Sequence, residues 1–216
     1  MSDLIDEATL ITHCQRLLKN DRRTFLAIAG APGSGKSTLV ERLARKTAVQ
    51  SDEDPRVAIL PMDGFHYDDS ILKARGRLHR KGAPDTFDVS GLRSTLMRLA
   101  DPAEGNMAVP VFDRKLEVSR GSARIIPQSV QLVLVEGNYL LLDEDPWRSL
   151  HPMFDLKVII DVPEEELARR LRKRWVQYGL DETQIASKLD DNDLPNGRAV
   201  REKSVMADYR LVQSER

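Results

Sequence analysis

The stretch Gly30-Ala31-Pro32-Gly33-Ser34-Gly35-Lys36-Ser37-Thr38 follows a short apolar run, Phe25-Leu26-Ala27-Ile28-Ala29. It precedes an amphipathic stripe made by Leu39, Val40, Leu43 and Ala44. The nine residues satisfy G-x-x-x-x-G-K-[ST], a loop that wraps phosphate oxygens between a strand and a helix. Glycine is required where backbone takes φ > 0 and closely approaches an anion. The following helix aims its free N–H groups and positive dipole end at the phosphates. Lys36 is spaced to reach the β- and γ-phosphates, and the Ser37 hydroxyl to ligate Mg²⁺. All residues from Gly30 to Thr38 are expected to line a bound nucleotide, with Mg²⁺ beside it.

Apolar runs without alternation recur along the chain, at Val57–Leu60, Leu132–Val135, Val158–Ile160 and Tyr209–Val212. Their length suits strands buried on both faces of a parallel sheet. Helical stripes lie between them, at Leu92, Leu96 and Leu99 and at Leu167, Leu171 and Trp175. The pattern predicts an α/β protein of three layers, with a five-stranded, mainly parallel sheet. The first twenty residues read as one amphipathic helix behind Ser2, through Leu4, Ala8, Ile11 and Leu18. Ligands of such sheets bind beyond the carboxyl ends of the strands.

Composition narrows the function classes. The chain has 216 residues, 41% hydrophobic and 31% charged, enough apolar material for a sizeable core. Lys plus Arg number 33 and Asp plus Glu 34, a net charge of -1 that argues against a nucleic-acid coat protein. No run approaches about 18 consecutive apolar residues, so no membrane partner is expected. The acidic start lacks the apolar segment of a secretory signal. One cysteine, Cys14, cannot form an internal disulfide and fits a cytoplasmic protein.

Two acids end predicted strands and are followed by glycine, Asp63 in Met62-Asp63-Gly64-Phe65-His66 and Glu136 in Val135-Glu136-Gly137-Asn138-Tyr139. A carboxylate there can hold Mg²⁺, directly or through water, or take the proton of an attacking hydroxyl. No Asn-Lys-x-Asp guanine motif and no Ser-Gly-Gly-Gln transporter motif occurs. Lys73, Arg75, Arg77, Arg80 and Lys81 crowd a loop that follows Asp63 closely and reads as a wall of the acceptor pocket. Such a wall makes an acceptor carrying phosphate or carboxylate attractive. His66, beside Asp63, is a further substrate contact. Arg170 and Arg174 are spaced i, i+4 and share one helix face.

These segments, with Arg80–Asp88 and Val109-Pro110-Val111-Phe112-Asp113-Arg114, resemble the uridine kinase, phosphoribulokinase and bacterial pantothenate kinase superfamily. They are most similar to its short members known as candidate fructose transport system kinases. The resemblance runs from about residue 24 to 212 and implies one P-loop kinase domain over 1–216. It implies a β-hairpin insertion at about 107–127 and a helical lid at about 170–197. It makes Asp63 the general base and Glu136 the acid near Mg²⁺. Asp113 and Arg114 face the substrate, and Arg170 and Arg174 close over the transferring phosphate. Phe112 stands where uridine kinases carry tyrosine, which disfavours a pyrimidine nucleoside. Pantothenate kinases are longer, which disfavours pantothenate.

The expected function is ATP-dependent transfer to a hydroxyl of a sugar, nucleoside or related metabolite. A regulatory ATP-binding switch without an acceptor and a nucleoside monophosphate kinase are the alternatives. The sequence leaves a homodimer open.

Overall fold

A computed structural model describes residues 2–47 and 55–212 of the chain. The elements run β1 (Asp3–Ile5), α1 (Glu7–Leu17), β2 (Thr24–Gly30), α2 (Lys36–Thr47), β3 (Val57–Pro61), α3 (Asp69–Ala74), α4 (Val89–Ala100), β4 (Met107–Asp113) and β5 (Val118–Ile126). They continue with β6 (Leu132–Gly137), β7 (Leu156–Asp161), α5 (Glu164–Gln177), α6 (Glu182–Lys188), α7 (Leu194–Lys203) and β8 (Tyr209–Val212). Met1 and residues 48–54 and 213–216, which the expected 1–216 domain includes, lie outside the described residues.

The central sheet is wholly parallel, in the order β1-β8-β7-β2-β6-β3. Among the described residues it therefore has six strands rather than the expected five. The addition is β1, which the sequence reading absorbed into the first helix. Three residues are too few to show a period, and Asp6 stops any helix from reaching back to Leu4. Its backbone is extended and its side chain accepts from the Thr9 N–H at 2.7 Å, the geometry of a helix N-cap.

Both sheet faces are covered, which accounts for the apolar runs. In β2, Phe25, Ala27 and Ala29 enter one core with Leu92, Leu96 and Leu99 of α4. Leu26 and Ile28 point the other way, against Leu39, Val40 and Leu43 of α2 and Leu167 and Leu171 of α5. Successive residues of a strand face opposite sides, so a strand between two layers must be apolar throughout. The hairpin β4–β5 is antiparallel and separate from the sheet.

From β2 the chain crosses to β3 on one side, whereas β6 leads to β7 on the other. The crevice at the carboxyl ends of β2 and β6 is therefore a topological switch point, where α/β sheets bind ligands. Leu26 is fully buried at the centre of this arrangement. Leu26→Ala should cost about 2–5 kcal/mol, read as a lower urea midpoint at unchanged denaturant slope.

Candidate active site

The loop from Gly30 to Gly35 joins β2 to α2. Gly33 and Gly35 take φ of 79° and 89°, the left-handed region where a side chain is strained. The loop folds over Lys36, whose Nζ donates to the carbonyls of Gly30 at 2.9 Å and Ala31 at 3.0 Å. Only 8% of Lys36 is exposed. Burial pushes its ammonium down to about 8, while the negative charges of Glu136 and Asp63 pull it upward.

Glu136 ends β6, equally buried, and its Oε1 accepts from the Ser37 hydroxyl at 3.1 Å. Burial raises its carboxyl above the usual range, and the charge of Asp63 adds to the shift. Asp63 lies in the turn Met62–Phe65 directly after β3. Met62 and Phe65 are buried and anchor that turn. The turn is wedged tightly, since a Cβ on Gly137 would lie 2.4 Å from the Met62 Cβ. One on Gly64 would lie 2.5 Å from the Pro110 carbonyl oxygen of the hairpin. Asp63 Oδ2 accepts from Arg114 Nη2 at 2.6 Å.

His66 Nδ1 lies 2.8 Å from the Asp63 backbone carbonyl; a carbonyl only accepts, so Nδ1 carries the proton. Burial pushes its pKa down, and its ring packs on Phe87 and Phe112, with centroids 4.0 and 4.6 Å away.

These groups open on one cleft of about 390 Å³. Pro32, Gly33, Gly35, Lys36, Ser37 and Thr38 line it, with Glu136, Asp63, His66 and Arg114. Arg170 and Arg174 of α5 line it too, Arg170 donating through Nε to Glu166 at 2.6 Å. Gly30, Ala31 and Ser34 stand behind the loop, the first two as acceptors for Lys36 and Ser34 fully buried.

The structure does not bring the other expected substrate contacts to the cleft lining. Arg77 and Arg80 pair with Asp85 instead. Asp113 caps the hairpin turn, accepting from the N–H groups of Lys115 and Leu116 and pairing with Arg120. Lys81 takes their place at the wall, bonded to Asp69 at 2.7 Å. Asn192, Asp193 and Asn196, from a stretch that resembles a family motif near the nucleotide, also line the cleft, as do Asn138 and Lys188, which sequence reasoning passed over. Asn138 was within reach of the strand-end rule; Lys188 carries no spacing signal.

The sheet and the phosphate loop together define a P-loop kinase. The model of the phosphoribulokinase/uridine kinase family matches residues 25–196, and the chain belongs to that family. A solved structure of a candidate fructose transport system kinase from Silicibacter sp. TM1040 is 35% identical. It superposes with a TM-score of 0.87 over 95% of this chain and 98% of that one. A candidate uridine kinase of Schizosaccharomyces pombe is 30% identical over 94% of this chain and 89% of its own. A pantothenate kinase of Sorangium cellulosum is 33% identical over 72% of this chain, a match spanning 51% of that protein. The chain is accordingly a phosphotransferase with a hydroxyl acceptor. Among the described residues, no helix is long and apolar enough to cross a membrane.

The close fit of the Asp63 turn has a measurable consequence. Gly137→Ala forces Met62 aside and should cost about 1–3 kcal/mol, as overpacking does, read as a loss of thermal and urea stability.

Proposed function

We infer that the protein transfers the γ-phosphate of ATP to a hydroxyl held at Asp63. The observation that carries this reading is the convergence of Lys36, Glu136 and Asp63 on one cleft, at the carboxyl ends of three adjacent strands. The sites of phosphate and acceptor thus lie side by side.

The residues present fit Mg²⁺. The Ser37 hydroxyl and Glu136 carboxylate are hard oxygen donors in hydrogen-bond contact beside the phosphate loop. No group of three His, Cys, Asp or Glu gathers among the described residues. Mg²⁺ commonly takes one or two protein oxygens together with water and substrate phosphates. When bound, it supplies neutralisation of the charge on the β- and γ-phosphate oxygens.

The chain's own groups account for the rest. Lys36 exchanges its two carbonyl acceptors for phosphate oxygens. Asp63 orients the acceptor hydroxyl and takes its proton as the new O–P bond forms and the bond to the ADP oxygen breaks. Arg114 holds the Asp63 carboxylate in place. Arg170 and Arg174 neutralise the transferring group, a contribution of the order of 10³–10⁵ where an arginine finger acts. Closure of the lid excludes water as a competing acceptor. Positioning and electrostatics supply the rate.

Sugars, nucleosides and related metabolites remain the acceptor class. Lys81 and Arg114 at the acceptor end favour members bearing phosphate or carboxylate. Phe112 lies beside both cations, with Lys81 Nζ 5.5 Å and the Arg114 guanidinium carbon 5.9 Å from its ring centroid.

The test is an ADP-release screen over such compounds, followed by Asp63→Asn on the acceptor found. Transfer should fall by about 10²–10⁴ while the MgATP Kd, measured by calorimetry, stays within about twofold. An unchanged kcat would remove Asp63 as the base.

A second expectation concerns pH. Free Lys36 is charged below about 8 and loses its proton above that value. Bound phosphate favours the charged form. MgATP affinity should therefore be flat below about pH 8 and weaken above it, by up to about tenfold per pH unit. Calorimetry between about pH 6.5 and 9 reads the break.

A further inference from the structure

Trp175 stands at the lid side of the cleft, one residue after Arg174 in α5. Its indole Nε1 donates to Asp193 Oδ2 at 2.7 Å. Asp193 is only 8% exposed and ends a π-helical turn, Leu189–Asp193, between α6 and α7. Such turns are rare and concentrate at functional sites. The turn is tied down nearby, where Asn192 donates to the Lys81 carbonyl at 3.2 Å and Asn196 donates to Asn192 at 2.9 Å.

The indole carries two cations of the cleft. The Arg174 guanidinium carbon lies 5.1 Å from the ring centroid, and Lys188 Nζ lies 5.6 Å from it. Both distances are within cation–π range. Arg174 and Lys188 line the same cleft as Lys36 and the phosphate loop. A tryptophan placed for packing alone has no need of a buried carboxylate, whose desolvation is costly. Burial raises the Asp193 pKa, which marks that cost. What the carboxylate provides is a fixed orientation of the ring.

The geometry points to Asp193 and Trp175 as a positioning pair: the carboxylate fixes the indole, and the indole seats Arg174 and Lys188 over the terminal phosphate of a nucleoside triphosphate. This assignment rests on the nucleotide-binding reading above. Neither member of the pair touches the reacting atoms. Their effect is selective, because a nucleoside diphosphate lacks the phosphate that the two cations meet. The pair therefore sets the preference for ATP over ADP.

Calorimetry of the full chain with MgATP and with MgADP tests the pair without any acceptor. Trp175→Leu and Asp193→Leu should each lower the ATP-over-ADP preference by about tenfold, with the MgADP Kd within about twofold of wild type. Asp193→Asn keeps an oxygen that accepts from the indole and should hold the preference within about threefold of wild type. Trp175→Phe keeps a ring for the cations and removes the donor, so about half of the free-energy loss, roughly threefold, is expected. That variant decides the matter if the leucine variants fail to fold. An unchanged preference in folded Trp175→Leu or Trp175→Phe overturns the proposal. So does an Asp193→Asn variant as impaired as Asp193→Leu, because charge rather than ring orientation would then be at work. MgATP binding that is unweakened by Lys36→Ala, or absent in wild type, overturns the nucleotide reading itself and the pair with it.

Discussion

An ammonium buried against two backbone carbonyls, with a buried carboxylate beside it, is the constraint around which the site is arranged. Lys36 and Glu136 are each 8% exposed, and both pay for desolvation. Parallel pairing of β2 with β6 sets Ile28 opposite Glu136, which brings the acid to the end of the strand that feeds the phosphate loop. A charged pair so placed is an expensive way to stabilise a fold. It is a good way to hold fixed charge where buried groups interact strongly and need no reorganisation.

The Asp63 side of the cleft is built onto that centre by close approach. The Asp63 turn fits between the end of β6 and the hairpin because Gly137 and Gly64 leave no side chain in the way. The hairpin then returns Arg114 to Asp63, and Lys81 is held by Asp69 at the same wall. Tyr139, two residues beyond Gly137, donates its hydroxyl to the Gly82 carbonyl at 2.6 Å and fixes the loop carrying Lys81. The turn Leu189–Asp193 reaches the same loop through Asn192. The loop carrying Lys81, the end of β6 and the turn before α7 are thus linked by hydrogen bonds to backbone carbonyls.

Legibility in the sequence followed the range of the interaction. The phosphate loop is local, and its residue types follow from backbone geometry and anion binding, so Gly30–Thr38 could be read directly. Strands buried on both faces announce themselves as apolar runs, and the strand-end rule then pointed to Asp63 and Glu136. β1 escaped because three residues show no period, and its end is marked only by the cap at Asp6. The basic loop was legible as a cluster but not residue by residue. Which cation faces the cleft depends on Asp85, which draws Arg77 and Arg80 away and leaves Lys81 at the wall. The Asp193–Trp175 contact spans 18 positions and a π-turn, and no spacing rule reports it.

The destination of the phosphate tests the account most directly. Phosphorus NMR of the full chain with MgATP and its hydroxyl acceptor distinguishes the possible products by their signals. The account predicts ADP and a new phosphomonoester in equal amounts. ATP that binds but yields only slow release of inorganic phosphate, across sugars, nucleosides and sugar phosphates, would contradict it and leave a nucleotide-binding switch. A new diphosphate signal with nucleoside monophosphates alone would contradict it too, since the acceptor would then be a phosphate rather than a hydroxyl.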